Sequence, residues 1–211
     1  MQALHANTRP VGTMRKGSPK TSAGMLRIVA GTLRGSRIAV PDRAGLRPTP
    51  DRVRETLFNW LMPYLPGMHC LDLYAGTGAL GIEALSRGAG ACTFIEYDRE
   101  LCKALSANLA RLNVDVAEVV NADASAWLTG AGRRFGLVFL DPPFDADLWT
   151  DAAQALERGG WIADGGFAYV EAPRDARFEL PSTWQLHREG HAGAVRFALY
   201  RRSGGDRSTG C

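Results

Sequence analysis

The sequence has few cysteines, no long apolar run and no internal repeat. Its 4 cysteines are scattered along 211 residues without a C-x-x-C pair. We therefore expect no structural zinc, no other bound metal and no disulfide framework, and we predict a reducing, cytoplasmic location. No apolar segment approaches the roughly 20 residues of a membrane span, and the first residues lack the apolar core of a signal peptide. We accordingly expect no membrane association.

The positive charge is concentrated at one end of the chain. Residues 1–60 carry 11 Lys and Arg against 3 Asp and Glu, whereas the whole chain has a net charge of only +3. The remainder is therefore acidic. A basic end on an acidic body indicates a polyanion contact at that end, and the arginines that dominate it suit phosphate forks and base stacking. With 45% hydrophobic residues the chain can bury a core, and we expect a monomer.

An apolar run in the second half of the chain is followed directly by a carboxylate, two prolines and an aromatic ring. Residues 135–140 are predicted to form a buried strand, and Asp141-Pro142-Pro143-Phe144 follow it. The prolines fix φ and remove backbone donors, which leaves the acceptor oxygens of Asp141 and Pro142 without local partners. This group suits the binding of a planar base that bears an amino group. The alternative is an ordinary strand that ends in a surface turn.

Upstream, a predicted strand leads into a glycine-rich turn and a helix. The strand ends at Asp72, and the turn contains Gly76 and Gly78, which allow a ligand to approach the backbone at a helix N-terminus. Residues 76–81 also satisfy the pattern G-x-G-x-x-G, which alone does not distinguish one nucleoside cofactor from another.

Four successive predicted strands end in an acidic residue. These residues are Asp72, Glu96, Asp123 and Asp141. Ligands of open α/β sheets bind outside the carboxyl ends of the strands, and an acid about 20 residues after the glycines suits ribose hydroxyls. Asp123 is placed to accept from an adenine amino group. Each acid alone is also a favoured helix N-cap, but four at corresponding places predict one nucleoside site.

The spacing Asp72-x-x-x-Gly76-x-Gly78, then Glu96, Asp123 and the Asp-Pro-Pro-Phe motif, resembles class I S-adenosylmethionine (AdoMet) methyltransferases that methylate amino groups. The resemblance implies AdoMet as the cofactor. It also implies a set of cofactor contacts at the strand ends: Asp72, Tyr74, Ala75, Gly76, Thr77, Gly78, Glu96, Asp123, Ala124 and Asp141.

Five further segments, residues 27–31, 34–37, 45–61, 79–89 and 186–193, are similar to the RsmD family of 16S rRNA guanine-N2 methyltransferases. The resemblance runs from about residue 26 to residue 202. It implies 16S rRNA, or the small ribosomal subunit, as the partner. The sequence departs from the family pattern at Tyr74 and Thr77, and residues 1–24 form an extension that the family usually lacks.

We predict an α/β protein with a class I methyltransferase Rossmann-like fold: a mostly parallel seven-stranded sheet with a C-terminal antiparallel hairpin, preceded by a small N-terminal β-hairpin and helix. Residues 1–24 are expected to be a disordered basic extension, 25–50 an RNA-contacting hairpin and loop, 51–202 the methyltransferase domain, and 203–211 a flexible tail.

Start and stop signals locate the individual elements. Asp51 is predicted to cap a helix from Arg52 to Met62, with the apolar stripe Val53, Leu57, Trp60 and Leu61. The other expected elements are helices at 80–87, 99–112 and 146–157, and late strands at 167–171, 184–188 and 195–201.

The predicted chemistry follows from the target atom. The lone pair of an exocyclic amino nitrogen is delocalised into the base, so acceptance of its N–H groups by Asp141 and the Pro142 carbonyl favours a pyramidal, reactive nitrogen. We assign Asp141 first to orientation and charge stabilisation and second to proton acceptance, and Phe144 to stacking on the base. A carboxylate can accept the adjacent N1–H and N2–H of guanine together, which favours guanine over adenine and cytosine.

Several residues near the basic end are predicted to contact RNA. They are Arg34, Arg37, Arg47, Thr49, Arg52 and Arg54. For each arginine the alternative is a solvated basic face or a local ion pair with Glu55.

Three other functions compete with guanine-N2 methylation. An adenine-N6 DNA or RNA methyltransferase would share the fold and the cofactor. An NAD(P)-dependent oxidoreductase would use the glycine pattern but leave the Asp-Pro-Pro-Phe motif unexplained. A non-catalytic RNA-binding module would not need four acids at strand ends.

Overall fold

The computed structural model describes residues 24–41, 43, 49–130 and 132–204. Its strands are β1 (Gly24–Arg27), β2 (Arg37–Val40), β3 (His69–Asp72), β4 (Ala91–Glu96), β5 (Ala117–Asn121), β6 (Phe135–Leu140), β7 (Ile162–Pro173), β8 (Trp184–Ala192) and β9 (Val195–Arg202). Its helices are α1 (Asp51–Leu61), α2 (Ala79–Ser86), α3 (Arg99–Arg111), α4 (Ala124–Trp127) and α5 (Trp149–Arg158).

Seven strands form one sheet in the order β5-β4-β3-β6-β7-β9-β8. The first five pair in parallel, and β9 joins β7 and β8 by antiparallel pairing. The strands β1 and β2 form a separate antiparallel hairpin. This architecture confirms the predicted class I methyltransferase fold, with the direction of the chain reversing at the C-terminal hairpin.

Side chains of the central strands alternate between two hydrophobic clusters, one on each face of the sheet. Cys70, Leu137 and Tyr169 belong to the cluster covered by α1, α2, α3 and the N-terminal hairpin. Leu71 and Val138 belong to the cluster covered by α4 and α5. The central strands β3 and β6 are therefore buried on both faces, which explains why their sequences are largely apolar runs rather than alternating patterns. The edge strand β5 has no fully buried residue.

The observed ends of most elements differ from the predicted ones by a residue or two, but three differences are larger. Helix α5 begins at Trp149, three residues late, because Asp147 has a φ of +48° and leaves the helical region. Strand β7 begins five residues earlier and continues to Pro173, with a register shift opposite Phe135. Strand β8 extends to Ala192, four residues beyond its predicted end. Antiparallel pairing with β9 accounts for this extra length.

The predicted capping role of Asp51 is wrong. Helix α1 begins at Asp51 itself, Pro50 occupies the N-cap, and no side chain caps the helix. Instead the Asp51 carboxylate accepts a 2.7 Å hydrogen bond from the Arg54 guanidinium. Proline is tolerated there because the first N–H groups of a helix have no intrahelical acceptor.

Arg54 is fully buried, which corrects its predicted role in RNA contact. Its exposed fraction is 0%, and its guanidinium bonds to Glu83 at 3.1 Å and to the Arg27 carbonyl at 2.8 Å. Its ion pairs are with Asp51 and Glu83 rather than with Glu55. The side chain therefore fastens α1 to the hairpin and to α2.

Glu83, in the middle of α2, holds the N-terminal hairpin against the sheet domain. Its carboxylate is fully buried and accepts hydrogen bonds from the N–H groups of Val29 and Ala30 at 2.9 and 3.0 Å. It also pairs with Arg54 at 3.1 Å and with Arg87 at 2.8 Å. Four donors satisfy the two oxygens, the condition under which a buried carboxylate is tolerated.

The turn between β1 and β2 packs on the end of α2. Gly31 has a φ of +83°, and a Cβ there would lie 1.8 Å from the Ser86 carbonyl oxygen, so only glycine fits. That carbonyl accepts a 2.7 Å bond from Thr32 N–H. The Asn108 side chain on α3 exchanges two 3.1 Å bonds with the backbone of Ala39 in β2. The hairpin is thus docked at both ends.

Two negative findings apply to the part of the chain that the structure describes. No helix there combines the length and apolarity needed to cross a membrane. Within the same residues, no group of three or more His, Cys, Asp or Glu side chains has the arrangement of a metal site.

Candidate active site at the carboxyl ends of the parallel strands

The glycine-rich turn between β3 and α2 requires glycine at two positions. Gly76 and Gly78 have φ values of +52° and +76°, and Gly78 is the N-cap of α2. A Cβ on Gly78 would lie 2.4 Å from Leu105 Cδ1. Ala75 and Thr77, also predicted to contact the cofactor, are buried within the turn. A bound ligand therefore meets backbone rather than side chains at the start of α2.

Asp72 ends β3 and points into the base of this turn. Its side chain is 2% exposed, and Oδ2 accepts a 3.1 Å hydrogen bond from the Gly81 N–H. Burial raises the pKa of Asp72 to about 7, against the lowering effect of the Gly81 bond and with a further increase from the charge of Glu96. A cation or a further hydrogen-bond donor beside Asp72 would favour its charged form.

The raised pKa of Asp72 predicts that the ligand-free protein loses stability as the pH rises. The folded-state pKa of about 7 lies above the value of about 3.9 for an unfolded aspartate, so folding favours the protonated form. This contribution is complete below about pH 4 and is lost as the pH passes through 7. We expect the wild type to lose about 2–3 kcal/mol more than Asp72→Asn between pH 5 and pH 8 in urea unfolding. Equal losses of the free energy of unfolding in the two proteins would show that the pKa of Asp72 is not raised in the folded state.

Glu96 ends β4 and supports the glycine turn from the side. Its Oε2 accepts from Gly76 N–H at 2.8 Å and its Oε1 from Asp98 N–H at 2.7 Å. Each carboxylate oxygen can accept more than one hydrogen bond, so Glu96 retains capacity for the predicted ribose hydroxyls. Asn121, which the sequence reasoning missed, donates to the carbonyls of Glu96 and Tyr97 at 3.0 and 2.7 Å and fixes this edge.

Asp123 is the N-cap of α4, the alternative that the sequence analysis gave for each of the four acids. Its Oδ1 accepts a 2.9 Å bond from Ala126 N–H, while the side chain stays exposed and Ala124 beside it is buried.

Tyr74 lies near Asp123, with a buried hydroxyl that has no partner among the described residues. Burial, then the charges of Asp123 and Asp151, raise the pKa of Tyr74 to about 12, so the hydroxyl stays a donor.

The Asp-Pro-Pro-Phe motif follows β6 at the same edge. Asp141 is half-buried, Pro142 is buried, and Phe144 is 42% exposed with its ring centroid 6.0 Å from that of Trp149. Burial, then the charges of Glu171 and Asp72, raise the pKa of Asp141 well above its usual range. An exposed aromatic ring such as that of Phe144 can stack on a base.

Glu171 is a buried acid of this site that the sequence reasoning missed. It lies on β7, which pairs with β6, and its Oε2 accepts from the Tyr169 hydroxyl at 2.8 Å and the Thr49 hydroxyl at 3.2 Å. Burial raises the pKa of Glu171 despite these two bonds. The signal available in the sequence was the acidic residue within the otherwise apolar residues 167–172.

The predicted RNA contacts divide into three groups. Arg34, Arg37 and Arg52 are exposed on the hairpin and α1. Thr49 is buried and bonded to Glu171, so its predicted RNA contact is wrong and its side chain belongs to the site instead. Arg47 lies outside the described residues.

Known proteins resemble the chain over most of its length. A family model described as conserved hypothetical protein 95 matches residues 26–201. Ribosomal RNA small subunit methyltransferase D of Escherichia coli is 47% identical over 183 residues, which cover 86% of this chain and 92% of that one. The protein of the same name from Haemophilus influenzae is 41% identical over 192 residues, 89% of this chain and 100% of the other.

Solved structures agree with these relationships. The putative methyltransferase yhhF from Escherichia coli has a TM-score of 0.79 at 47% identity and covers 86% of this chain and 99% of that one. A Thermus thermophilus 16S rRNA N2 methyltransferase, solved with AdoMet and guanosine, has a TM-score of 0.63 at 21% identity, covering 86% of this chain and 50% of that one; this likeness shows the shared fold. The chain belongs to the RsmD family, that of ribosomal RNA small subunit methyltransferase D.

Proposed function

We propose that this protein transfers a methyl group from AdoMet to the exocyclic N2 of a guanine in 16S rRNA of the small ribosomal subunit. The observation that carries the proposal is the Asp-Pro-Pro-Phe motif after β6, the strand paired with β3: a half-buried carboxyl group at Asp141 is followed by an exposed ring at Phe144, in a chain of this family. Family membership favours methyl transfer over the oxidoreductase alternative.

The charge of the site fits AdoMet. Asp72, Asp141 and Glu171 all have raised pKa values, and in the described part of the chain none of them forms an ion pair with Lys, Arg or His. A cationic ligand neutralises such a set of carboxylates. Asp72 and the turn around Gly76 and Gly78 would hold the cofactor, which supplies a methyl group on a positively charged sulfur.

The residues of this chain orient the acceptor. The Asp141 carboxylate and the Pro142 carbonyl accept the N–H groups of the amine, while Phe144 stacks on the base. As the new N–C bond forms and the S–C bond breaks, the positive charge moves from sulfur to nitrogen. The amine then releases one proton, and Asp141 is the nearest acceptor. Alignment and desolvation therefore supply most of the catalysis.

Guanine is the base that best matches Asp141. Its N1–H and N2–H groups are adjacent donors, and one carboxylate can accept both. Adenine presents an acceptor beside its amino group, which a carboxylate does not match. The target base must leave its stack because N2 is shielded within a helix, as expected for a base in a loop or bulge.

We further propose that the exposed arginines of the N-terminal hairpin and α1 bind RNA phosphates. Replacing Arg34 and Arg37 by alanine should weaken binding to small subunits and to other RNA by about the same factor, because phosphate contacts do not depend on the base sequence. The slope of log affinity against log salt concentration should become shallower by about 1 for each arginine. Arg158→Ala, an exposed arginine at the end of α5, is the matched control. An unchanged slope in the double variant would place the RNA elsewhere.

The cellular setting and oligomeric state are part of the same proposal. Cys70, Cys92 and Cys102 are free, buried thiols, as expected for a protein of a reducing cytoplasm. We propose a monomer that acts on the ribosomal subunit there.

The function is tested by identifying the product. Purified protein is incubated with labelled AdoMet and unmodified small subunits, free 16S rRNA or DNA, and the nucleic acid is digested to nucleosides. N2-methylguanosine supports the proposal. N6-methyladenosine would retain the fold and cofactor but overturn the choice of base. Measurable AdoMet binding without transfer to any of the three would overturn the substrate class.

A further inference from the structure

Glu171 lies directly beside Asp141. In the parallel register of β6 and β7, Phe139 pairs with Tyr169 and Leu140 with Val170. Asp141 and Glu171 each follow directly after this last pair, Leu140 and Val170. Neighbouring strands lie about 4.8 Å apart, and side chains of paired residues share a face of the sheet. The two carboxyl groups therefore stand side by side on the face that also carries Tyr169.

The surroundings of the two carboxyl groups differ. Glu171 is almost fully buried, and its Oε2 accepts hydrogen bonds from Tyr169 and Thr49, which favour its charged form. Trp149 donates its indole N–H to the Glu171 carbonyl at 2.8 Å and fixes the backbone. Asp141 accepts no hydrogen bond from the described residues.

Two adjacent carboxyl groups do not ionise independently. The groups that face Asp141 are Glu171 and Asp72, and those that face Glu171 are Asp141, Tyr169 and Thr49. No described cation contributes to this set. The two hydroxyl donors leave Glu171 as the first of the pair to lose its proton, and its charge then disfavours ionisation of Asp141.

We propose that Glu171 is a positioning residue of the methyl transfer: its carboxylate, fixed by Tyr169 and Thr49 beside Asp141, makes Asp141 the stronger acceptor for the proton released by the methylated amine. This inference rests on the proposed function. Bound cofactor and guanine allow Asp141 to ionise before transfer. After transfer, the negative charge of Glu171 increases the proton affinity of Asp141, so Asp141 accepts the proton of the amine. Glu171 itself does not touch the base.

The pH dependence of kcat/KM tests the inference, because it reports the ionisations of the free enzyme. Glu171→Gln removes the charge while its amide oxygen can still accept from Tyr169 and Thr49. We expect the acidic limb of the profile to move to lower pH by about one unit or more, with a several-fold lower plateau of kcat at high pH. Tyr169→Phe, which retains the Glu171 carboxylate, should produce a smaller shift in the same direction.

The matched control is Glu118→Gln, an exposed glutamate at the amino end of β5, whose profile should coincide with the wild type. A profile of Glu171→Gln that keeps its wild-type midpoint would overturn the proposal, whatever its absolute rate, since a purely structural role lowers activity without moving a midpoint. The profile is measured on whichever nucleoside the wild type forms.

A second readout needs no substrate and separates this inference from the proposed function. The side-chain carboxyl carbon of Asp141 is followed by NMR in the ligand-free protein, with Asp141→Asn to assign its signal. We expect its titration midpoint to be lower in Glu171→Gln than in the wild type. Equal midpoints would overturn the role of Glu171. Formation of a different methylated nucleoside would overturn only the choice of guanine.

Discussion

Replacing Asp141 by alanine is expected to lower the rate of methyl transfer by about 10²–10⁴-fold, the range for a group that both orients a reactant and accepts its proton. The reason is that the amine loses its principal acceptor and the released proton its nearest base. Single-turnover transfer from labelled AdoMet to unmodified small subunits measures the effect. AdoMet binding by calorimetry on the same variant separates a lost reaction from a lost cofactor.

Asp141→Asn separates the two roles of this side chain. The amide preserves one acceptor oxygen but cannot take a proton, so its rate should fall between those of the wild type and of Asp141→Ala. Asp115→Ala, an exposed aspartate before β5 at the opposite edge of the sheet, should retain the wild-type rate. If Asp141→Ala kept a tenth or more of the wild-type rate, Asp141 would not belong to the reaction centre.

The second large effect concerns stability. Glu83→Ala should lower the free energy of unfolding by about 3–5 kcal/mol, because it leaves the buried guanidinium of Arg54 with one anionic partner fewer and the N–H groups of Val29 and Ala30 without an acceptor. Urea unfolding followed by circular dichroism measures the loss, at a pH where both proteins fold.

The exposed pair Glu118–Arg133 provides the matched comparison. Its side chains are more than half exposed, so Glu118→Ala should cost at most about 1 kcal/mol. The double variant Glu83→Leu with Arg54→Met, which removes both buried charges, should recover part of the loss. Equal losses in Glu83→Ala and Glu118→Ala would show that the Glu83 carboxylate contributes little to the docking of the hairpin.

The parallel strands and the acids at their ends were predictable from the sequence for a physical reason. A strand buried on both faces must be apolar throughout, so the end of the apolar run marks the edge of the sheet. Asp72, Glu96 and Asp141 were found because each follows such a run or ends it. Asp123 follows the partly exposed edge strand β5 and was found from its place after a predicted strand. The glycines of the turn were found because their positive φ values admit few other residues.

Contacts between distant segments left no comparable local signal. Arg54 was predicted to be exposed because it lies outside the stripe of Val53 and Leu57, yet the N-terminal hairpin covers a second side of α1 and buries Arg54 with Phe58. The pairing of Thr49 with Glu171 joins residues 122 positions apart. Only the folded chain shows which polar residues such a closure brings together.

The shared hydrophobic cluster of the hairpin and α1 limits how the chain can be shortened. Leu26, Ile28 and Ile38 pack in the same cluster as Leu57. A fragment that starts at Asp51 would expose this apolar surface to water. It would also lack the Thr49 hydroxyl that bonds to Glu171. The smallest catalytic fragment must therefore include the strand that begins at Gly24, and a protease that cuts between β2 and α1 should leave two pieces that remain bound to each other.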